Sequence, residues 1–306
     1  MTLLTPSSSE LVQQMIRGLK HAHPVHRARA ARGLGKLGAA HRESLPALLA
    51  ATHDVQQSVR EAAVQAIAAH GAADDLIQLL RHTCKYVRRN AVWGLAKLGP
   101  EALRAVRPLA ESLKDRDPRT AAGAAQALGA IGRDAADAVP ALAEAMRGAN
   151  VVLCRMASKA LSQIGLPALT TLIQHLKHHD PFVRGEAAVA LGWMGPHAGA
   201  AGVAALQEQL IPLTPSSAPP VQENSPIVDR DATPLAAAAC KESNAEESAL
   251  IQTIQALGKV GLGAIPALPM LRQLAKHPHQ PYRDAAKEAV QLVKAAAIQE
   301  HARRSL

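Results

Sequence analysis

The chain is poor in aromatic residues and in cysteine. Its 306 residues include one Phe, two Trp, two Tyr and three Cys. So few rings argue against an aromatic-rich β-sandwich or barrel, and they leave little for stacking nucleic-acid bases or a cofactor. Cys84, Cys154 and Cys240 match no metal or redox spacing. We therefore predict free thiols in a reducing cytoplasm, with no bound metal and no cofactor.

Long apolar runs are also missing. No segment approaches ~18 uninterrupted apolar residues, the length that a membrane-spanning helix needs. Residues 1–10 lack the charged and apolar regions of a secretory signal peptide. We expect no membrane span and a cytoplasmic location.

Hydrophobic residues make up 48% of the chain, which is enough for a large core. The formal net charge is +9 and the sequence pI is about 9.8. Such a positive balance favours an acidic partner without identifying it.

The strongest signal is an internal repeat. Residues 180–195, 23–38 and 84–99 share one frame: a polar start, an apolar helical pattern and a final glycine. The closing glycines lie at positions 38, 71, 99, 132, 165, 195 and 261, and an eighth unit around 282–294 lacks its glycine. A period of this length indicates stacked supersecondary units.

Each unit reads as two helices, A and then B. In the cleanest copy, Val183, Ala187, Leu191 and Met194 form one apolar stripe at helical spacing. Proline opens a shorter apolar pattern upstream, where its missing N–H costs little. The closing glycine suits a left-handed helix cap. Small residues on helix B allow a neighbouring helix to approach closely.

These repeats resemble the HEAT-repeat family, in particular the short, Ala-rich bacterial form also found in phycobilin lyase subunits. The resemblance implies an all-α fold: residues 1–306 would form a single right-handed α-solenoid of about eight helical hairpins. It also implies a ladder between an Asp at the turn and an Arg early in helix B. Asp180 and Arg184 match both positions, and the Arg alone recurs as Arg27, Arg60, Arg88 and Arg283. The ladder should be interrupted at Ala121, Cys154 and Leu250.

Residues 213–249 break the rhythm. This stretch is rich in Pro, Ser and acidic residues, carries a net charge of −4 and shows no apolar periodicity. We predict a disordered insertion in the seventh repeat, with helix B resuming near Glu246. It is either a tolerated insertion or a loop that competes with an acidic ligand for a basic groove.

Basic residues and both tryptophans recur at helix-B positions that lie off the apolar stripe. The resemblance implies that B helices line the concave side, and Trp is enriched at binding hot spots. The residues predicted to bind a partner are Arg29, Arg32, Lys36, Arg89, Trp93, Lys97, Arg155, Lys159 and Trp193. The opposing acids are Glu61, Glu186, Asp284 and Glu288. The alternative is that each Trp covers the adjacent repeat and the cations form a solvated face.

Histidines gather at the end of helix A. The equivalent positions hold His21, His82, His178 and His277. A His there can bond free carbonyls and interact with the helix dipole. The alternative is weak metal capture by His175 and His179, four residues apart on one helical face, with Asp180 nearby.

Catalytic motifs are not evident. The GxGxxG match at 33–38 closes a helix instead of joining a strand to a helix, so it does not indicate dinucleotide binding. HEAT-repeat hydroxylases carry His-Glu pairs, and the corresponding pairs here, such as Gly185-Glu186, do not match. We therefore predict a non-catalytic scaffold or adaptor that binds a protein with an acidic surface. The alternatives are a nucleic-acid-binding solenoid, perhaps glycosylase-like, and a bilin lyase-like or chaperone-like subunit.

Overall fold

The computed structural model describes residues 8–213 and 234–304, and within these ranges the regular elements are all helical. Sixteen α-helices alternate between A and B. The A helices are α1 (Ser8–Gly18), α3 (Leu45–Ala51), α5 (Ala73–Leu79), α7 (Val106–Ser112), α9 (Val139–Met146), α11 (Leu169–His175), α13 (Gly199–Leu210) and α15 (Leu268–Leu274). The B helices are α2 (Pro24–Leu37), α4 (Gln57–Ala69), α6 (Lys85–Leu98), α8 (Pro118–Ile131), α10 (Val151–Ile164), α12 (Pro181–Met194), α14 (Pro234–Val260) and α16 (Gln280–Arg304).

The predicted fold class, an all-α solenoid of eight helical hairpins, is confirmed. The chain divides into two compact units, Met1–Ala145 and Met146–Leu306. In the first unit α2, α4, α6 and α8 pack side by side, and in the second α10, α12, α14 and α16 do the same. That all 306 residues form a single solenoid stays a prediction.

Helix α12 shows why a B helix forms where it does. Asp180 caps its start by accepting a hydrogen bond from the Phe182 N–H at 2.9 Å, and Pro181 occupies the first turn. The predicted stripe, including Val183, Ala187 and Leu191, is buried. Each hairpin therefore buries one apolar face of its B helix against its neighbours, which a lone hairpin could not do.

The closing glycines have the positive φ that the sequence predicts. The expected left-handed helical ψ is not found at Gly38, Gly99, Gly132, Gly165 and Gly195. Gly132, for example, has φ +78° and ψ −141°, and Gly38 has φ +66° and ψ −160°. This region of backbone space is essentially restricted to glycine. A 3₁₀ turn follows these glycines except Gly71, after which the chain passes directly to α5.

Glycine and alanine set the spacing between neighbouring B helices. A Cβ on Gly35 of α2 would lie 2.9 Å from the Cα of Ala66 in α4. In the second unit a Cβ on Gly192 would lie 2.9 Å from the Cα of Ala256. These distances leave no room for a side chain, so the backbones of adjacent B helices nearly touch. This confirms the predicted role of small residues.

The seventh repeat differs from the prediction. Residues 214–233 of the predicted insertion lie outside the described residues, so their disorder stays a prediction. Helix α14 begins at Pro234, twelve residues before the expected start near Glu246. The reason is that the sequence 235–239 is Leu followed by four Ala. Alanine is the best helix former, yet it adds no apolar periodicity from which a helix could be recognised.

One segment, Ser243–Leu274, is long and apolar enough to cross a membrane by length and composition alone. It comprises the end of α14, a 3₁₀ turn and α15. Ile254, Leu257 and Leu271 of this segment are fully buried within the second unit. Hairpin packing therefore accounts for its apolar character.

Candidate functional site

The B face is defined here as the exposed side of the B helices, taken separately in each unit. The predicted binding residues lie on it as follows. Eight of the nine are exposed: Arg29, Arg32, Lys36, Trp93 and Lys97 in the first unit, and Arg155, Lys159 and Trp193 in the second. Arg89 is half-buried.

Arg29, Arg32 and Lys36 form an exposed cationic ridge on α2. They are spaced three and four residues apart, so they share one side of the helix. Helix α2 contains no acidic residue. Among the residues that the structure describes, no carboxylate lies within ion-pair distance of these three side chains. No carboxylate of the described residues therefore offsets the charge of this ridge.

Trp93 on α6 is 42% exposed. The Lys97 ammonium, one turn further along, lies 4.7 Å from the centre of its ring, which is a cation–π contact. The predicted exposure of Trp93 is confirmed. This pair presents an apolar surface and a positive charge side by side.

Arg89 differs from the other predicted cations of the first unit because it is held in an ion pair, and its predicted contact with a partner stays a prediction. Its Nε donates to Asp117 Oδ2 at 2.6 Å, and the second oxygen of Asp117 accepts from Nη2. Asp117 is only 8% exposed and also caps α8 by accepting from the Thr120 N–H. The Arg89 guanidinium holds the pKa of Asp117 well below its usual range. Arg89 therefore fastens α6 to the start of α8.

The B face of the second unit is more mixed. Trp193 is 49% exposed, and Lys159 is exposed as predicted. Glu186, predicted to be an exposed opposing acid, is only 5% exposed, and burial raises the pKa of its carboxyl. The Arg155 Nε lies 3.4 Å from Glu186 Oε1, so Arg155 partly neutralises this acid.

The Arg ladder exists, but its acids lie at a different position from the one predicted. Arg27 Nε donates to Asp54 Oδ2 of the next repeat at 2.6 Å, and Arg88 makes the same bond to Asp115 at 2.7 Å. The acid lies six residues before the arginine position of its own repeat, whereas Asp180 lies four before. Asp180 acts as a helix cap, and Arg184 pairs with Glu246.

Each ladder arginine also closes the turn of its own repeat. Arg88 Nη1 donates to the carbonyls of His82 and Thr83 at 2.9 and 3.0 Å. The guanidinium thus satisfies carbonyls that the end of helix A leaves unpaired. The same pattern is found at Arg27, Arg60, Arg184 and Arg283.

Arg60 is the incomplete member of this series. Its Nη1 donates to the carbonyls of Asp54 and Val55, but its Nε is buried and has no hydrogen-bond partner among the residues that the structure describes. The next repeat carries His82 where Asp54 and Asp115 stand in theirs. A neutral imidazole nitrogen cannot form the paired, charged contact that a carboxylate makes with guanidinium.

The turn histidines act as acceptors, which corrects the predicted contact with carbonyls. The Nδ1 of His82 accepts from the Cys84 N–H at 2.9 Å. Asp54 and Asp115 accept the equivalent N–H through Oδ1. The same bond is made by His21, His178 and His277. Histidine and aspartate therefore serve one turn geometry, and they alternate in the first four repeats, whereas the sixth and eighth repeats both carry histidine. The six-residue offset in the sequence could have revealed this regularity.

The structure does not support the metal alternative. Helix α11 ends at His175, so His175 and His179 do not share a helical face. His175 is buried and its Nδ1 bonds the Thr171 carbonyl at 2.7 Å. Within residues 8–213 and 234–304, no three His, Cys, Asp or Glu residues are grouped as metal ligands.

Two cysteine side chains, Cys84 and Cys154, are among those that the structure describes. Cys154 is fully buried, and burial raises the pKa of its thiol to about 12. A thiolate is the nucleophilic form, so this side chain is unreactive at neutral pH. Cys84 is half-buried and its thiol is free.

Comparison with known proteins supports the repeat assignment. The family model described as HEAT repeats matches residues 9–83, 73–161 and 139–211. No curated protein matches. The chain is similar in structure to Kap121p, with a TM-score of 0.54 and 16% identity over 97% of this chain and 38% of that one. Less similar is the complex of CpcE and CpcF of phycocyanin lyase from Nostoc sp. PCC7120, with a TM-score of 0.42 and 19% identity over 97% of each chain.

Proposed function

Because this chain belongs to the HEAT-repeat family, we propose that it is a non-catalytic scaffold that binds a protein partner with an acidic surface. The B face of the first unit is the binding surface. Its cationic ridge, Arg29, Arg32 and Lys36, steers the partner, and Trp93 provides an apolar anchor.

The observation that carries this proposal is the separation of paired from available cations. Arg27, Arg88 and Arg89 are fixed in ion pairs with carboxylates of the following repeats. The ridge on α2 has no such partner within the described part of the chain. The paired arginines therefore join neighbouring repeats to each other. The exposed charge of the ridge on α2 instead supports a role in binding the partner.

The test compares two variants of equal charge. In the first, Arg29, Arg32 and Lys36 are all changed to Glu. In the control, Arg81, Arg107 and Lys114, which lie exposed on or beside the A helices of the same unit, are changed to Glu. Tagged wild type and both variants are used to capture proteins from an extract with and without nuclease treatment, and the captured proteins are identified by mass spectrometry.

We expect an acidic protein to be recovered with the wild type and the control but not with the ridge variant. Complementary charge is screened beyond ~8 Å at physiological ionic strength, so binding should also weaken at high salt. Equal recovery by the ridge variant contradicts the proposal. Loss of binding on nuclease treatment would instead indicate a nucleic acid, whose phosphates make affinity fall steeply with salt.

A further inference from the structure

Helices α2, α4 and α6 lie side by side with their C-terminal halves level. The Gly35 contact with Ala66 joins α2 to α4, as described above. A Cβ on Gly94 of α6 would lie 3.4 Å from the Cβ of Ala68 in α4. These two contacts align the three helices along their axes. Residues within one turn of the contacts therefore lie at the same level along α2, α4 and α6.

At that height α4 presents two short, uncharged side chains. Gln65 and Ala69 are exposed and lie one turn apart on the same side of the helix. The acid of this helix, Glu61, lies a turn nearer the N-terminus, is half-buried and accepts a hydrogen bond from Gln57 Nε2 at 2.7 Å. The C-terminal half of α4 thus forms a low, neutral floor, which we call the α4 valley (Gln65 and Ala69).

Long side chains border the α4 valley on both sides. Arg32 and Lys36 rise from α2, and Trp93 and Lys97 rise from α6. Packed helices lie roughly 8–10 Å apart, so the axes of α2 and α6 are separated by about 16–20 Å. A helix with its side chains is about 10–12 Å across. The space above Gln65 and Ala69 therefore suits one helix.

The spacing of the charges specifies the chemistry of that helix. Arg29, Arg32 and Lys36 advance by three and four residues, which is about 4.5 and 6 Å along α2. Carboxylates at i, i+3 or i+4, and i+7 of a partner helix repeat at these same intervals. Lys97 faces the opposite flank of the partner. In an extended strand, residues on the same face repeat at about 6.6 Å, so their spacing would not match that of the cations on α2.

We propose that the α4 valley is the docking site for an acidic α-helix of the partner, lying between the ridge of α2 and the Trp93–Lys97 pair of α6. This deepens the function proposed above and rests on it. The helix places carboxylates on both flanks, and its small or apolar underside contacts Gln65, Ala69 and the ring of Trp93. Cationic borders attract a nucleic acid as well as an acidic helix, so the width of the valley favours the helix: a duplex is too wide to reach Gln65 and Ala69.

The experiment uses the full chain and a defined probe. The probe is a fluorescein-labelled, alanine-based helical peptide of ~20 residues with glutamates on its two flanks, long enough to be helical in water. A peptide of equal charge with two central prolines cannot form a continuous helix and is the control probe. Binding is followed by fluorescence polarisation.

Two variants distinguish docking of the peptide in the α4 valley from general electrostatic attraction between the peptide and the protein. Ala69→Arg puts a long side chain on the valley floor, and Ala130→Arg puts the same side chain at the equivalent position of α8, on the other side of α6. Both add one positive charge. We expect Ala69→Arg to weaken binding of the helical peptide by about tenfold, and Ala130→Arg to leave it unchanged or tighten it. Gln65→Arg should repeat the effect of Ala69→Arg, and circular dichroism checks that each variant is folded.

The outcomes separate this inference from the function on which it rests. If Ala69→Arg tightens binding as Ala130→Arg does, or if the proline peptide binds equally well, the proposal that an acidic helix docks in the α4 valley is wrong. The proposed function then still stands, provided that the triple ridge variant abolishes binding. If the ridge variant also binds normally, both are wrong. Tighter binding of duplex DNA by Ala69→Arg, with no peptide binding, would overturn both in favour of a nucleic acid.

Discussion

At the residue scale, one position in the repeats of the first unit decides whether the ladder arginine of the preceding repeat is paired. It lies six residues before the ladder arginine and holds Asp54 and Asp115 in the second and fourth repeats, but His82 in the third. Each of these side chains accepts the N–H two residues ahead. Only the carboxylates have a second oxygen for the arginine of the preceding repeat. An Asp at this position therefore forms an ion pair with the ladder arginine of the preceding repeat, and a His does not.

We predict that His82→Asp stabilises the first unit. Arg60 Nε, buried and unpartnered, would gain the acceptor that Arg27 has in Asp54. A hydrogen bond to a charged group contributes about 1.5–3 kcal/mol, so the free energy of unfolding should rise by about 1–2 kcal/mol after the cost of fixing the new side chain. Urea unfolding followed by circular dichroism measures this.

His21→Asp is the matched control. It keeps the same turn acceptor, since His21 accepts the His23 N–H. No repeat precedes the first among those that the structure describes, so no ladder arginine gains a partner. The control should be close to neutral. If both variants gain the same free energy of unfolding, or if His82→Asp gains none, the missing ion pair of Arg60 does not limit stability.

At the scale of the helix, stability depends on how closely neighbouring B helices approach. Glycine in a helix interior costs about 1 kcal/mol relative to alanine, so its use in α2 needs a compensating gain. Gly35 provides it, because the absent side chain lets α2 reach the backbone of Ala66. The lost helix propensity is offset by backbone-level packing between repeats.

We predict that Gly35→Ala destabilises the first unit, despite the higher helix propensity of alanine. The new Cβ would meet the Ala66 Cα at 2.9 Å, and a backbone atom cannot move aside without shifting α4. Overpacking of this kind costs about 1–3 kcal/mol. The free energy of unfolding of the variant in urea measures the loss.

Gly33→Ala, two residues away in the same helix, is the control. Its Cβ would meet the Met15 sulfur at 2.8 Å, the far end of a flexible side chain that can turn away. This variant should be near neutral or slightly stabilised. If it loses as much stability as Gly35→Ala, contact with the Ala66 backbone is not the cause.

At the scale of the whole molecule, turn histidines occur in both units. Burial is the main cause that lowers the pKa of His82, His178 and His277, and neighbouring charged or titratable groups add to it. Their Nδ1 atoms accept backbone N–H groups, so protonation at that nitrogen breaks the turn. Loss of the same hydrogen bond therefore destabilises both units at acidic pH.

We predict that both units lose stability as the pH falls from about 7.5 to 5.5. The unfolded chain takes up protons at the ordinary histidine pKa of about 6.5, whereas the folded turns resist them to a lower pH. The free energy of unfolding therefore declines below pH ~6.5 and levels off above it. Asp54 and Asp115, whose pKa values lie below their usual range, add a separate loss only at about pH 4 and below.

Urea unfolding at the two pH values tests this in the wild type and in a triple variant with His82, His178 and His277 changed to Asp. Aspartate accepts the same N–H, as Asp54 does, and stays ionised throughout this range. The decline should be smaller in the triple variant. An unchanged decline would assign the acid sensitivity to other groups.

The period of the glycines, the apolar stripe and the exposure of Trp93 and Trp193 could all be predicted before any coordinates. Each follows from helical geometry within a single repeat, which the sequence records directly. The roles of Arg89 and Glu186 could not be predicted, because both depend on side chains about 30 residues away, Asp117 and Arg155. A repeat alignment places Arg89 and Arg155 in the same column, ten residues before the closing glycine, but it does not say which acid each one meets.

The sequence by itself determined the hairpin, the number of hairpins and the side of each B helix that is buried. These depend on local spacing and on the need of an amphipathic helix to cover its apolar face. Only the tertiary structure decided which cations remain available. Arg29 and Arg89 look alike along the chain, but packing brings Asp117 to one of them and no described carboxylate to the other. Charge is a property of the residue, whereas its pairing depends on the register between neighbouring helices.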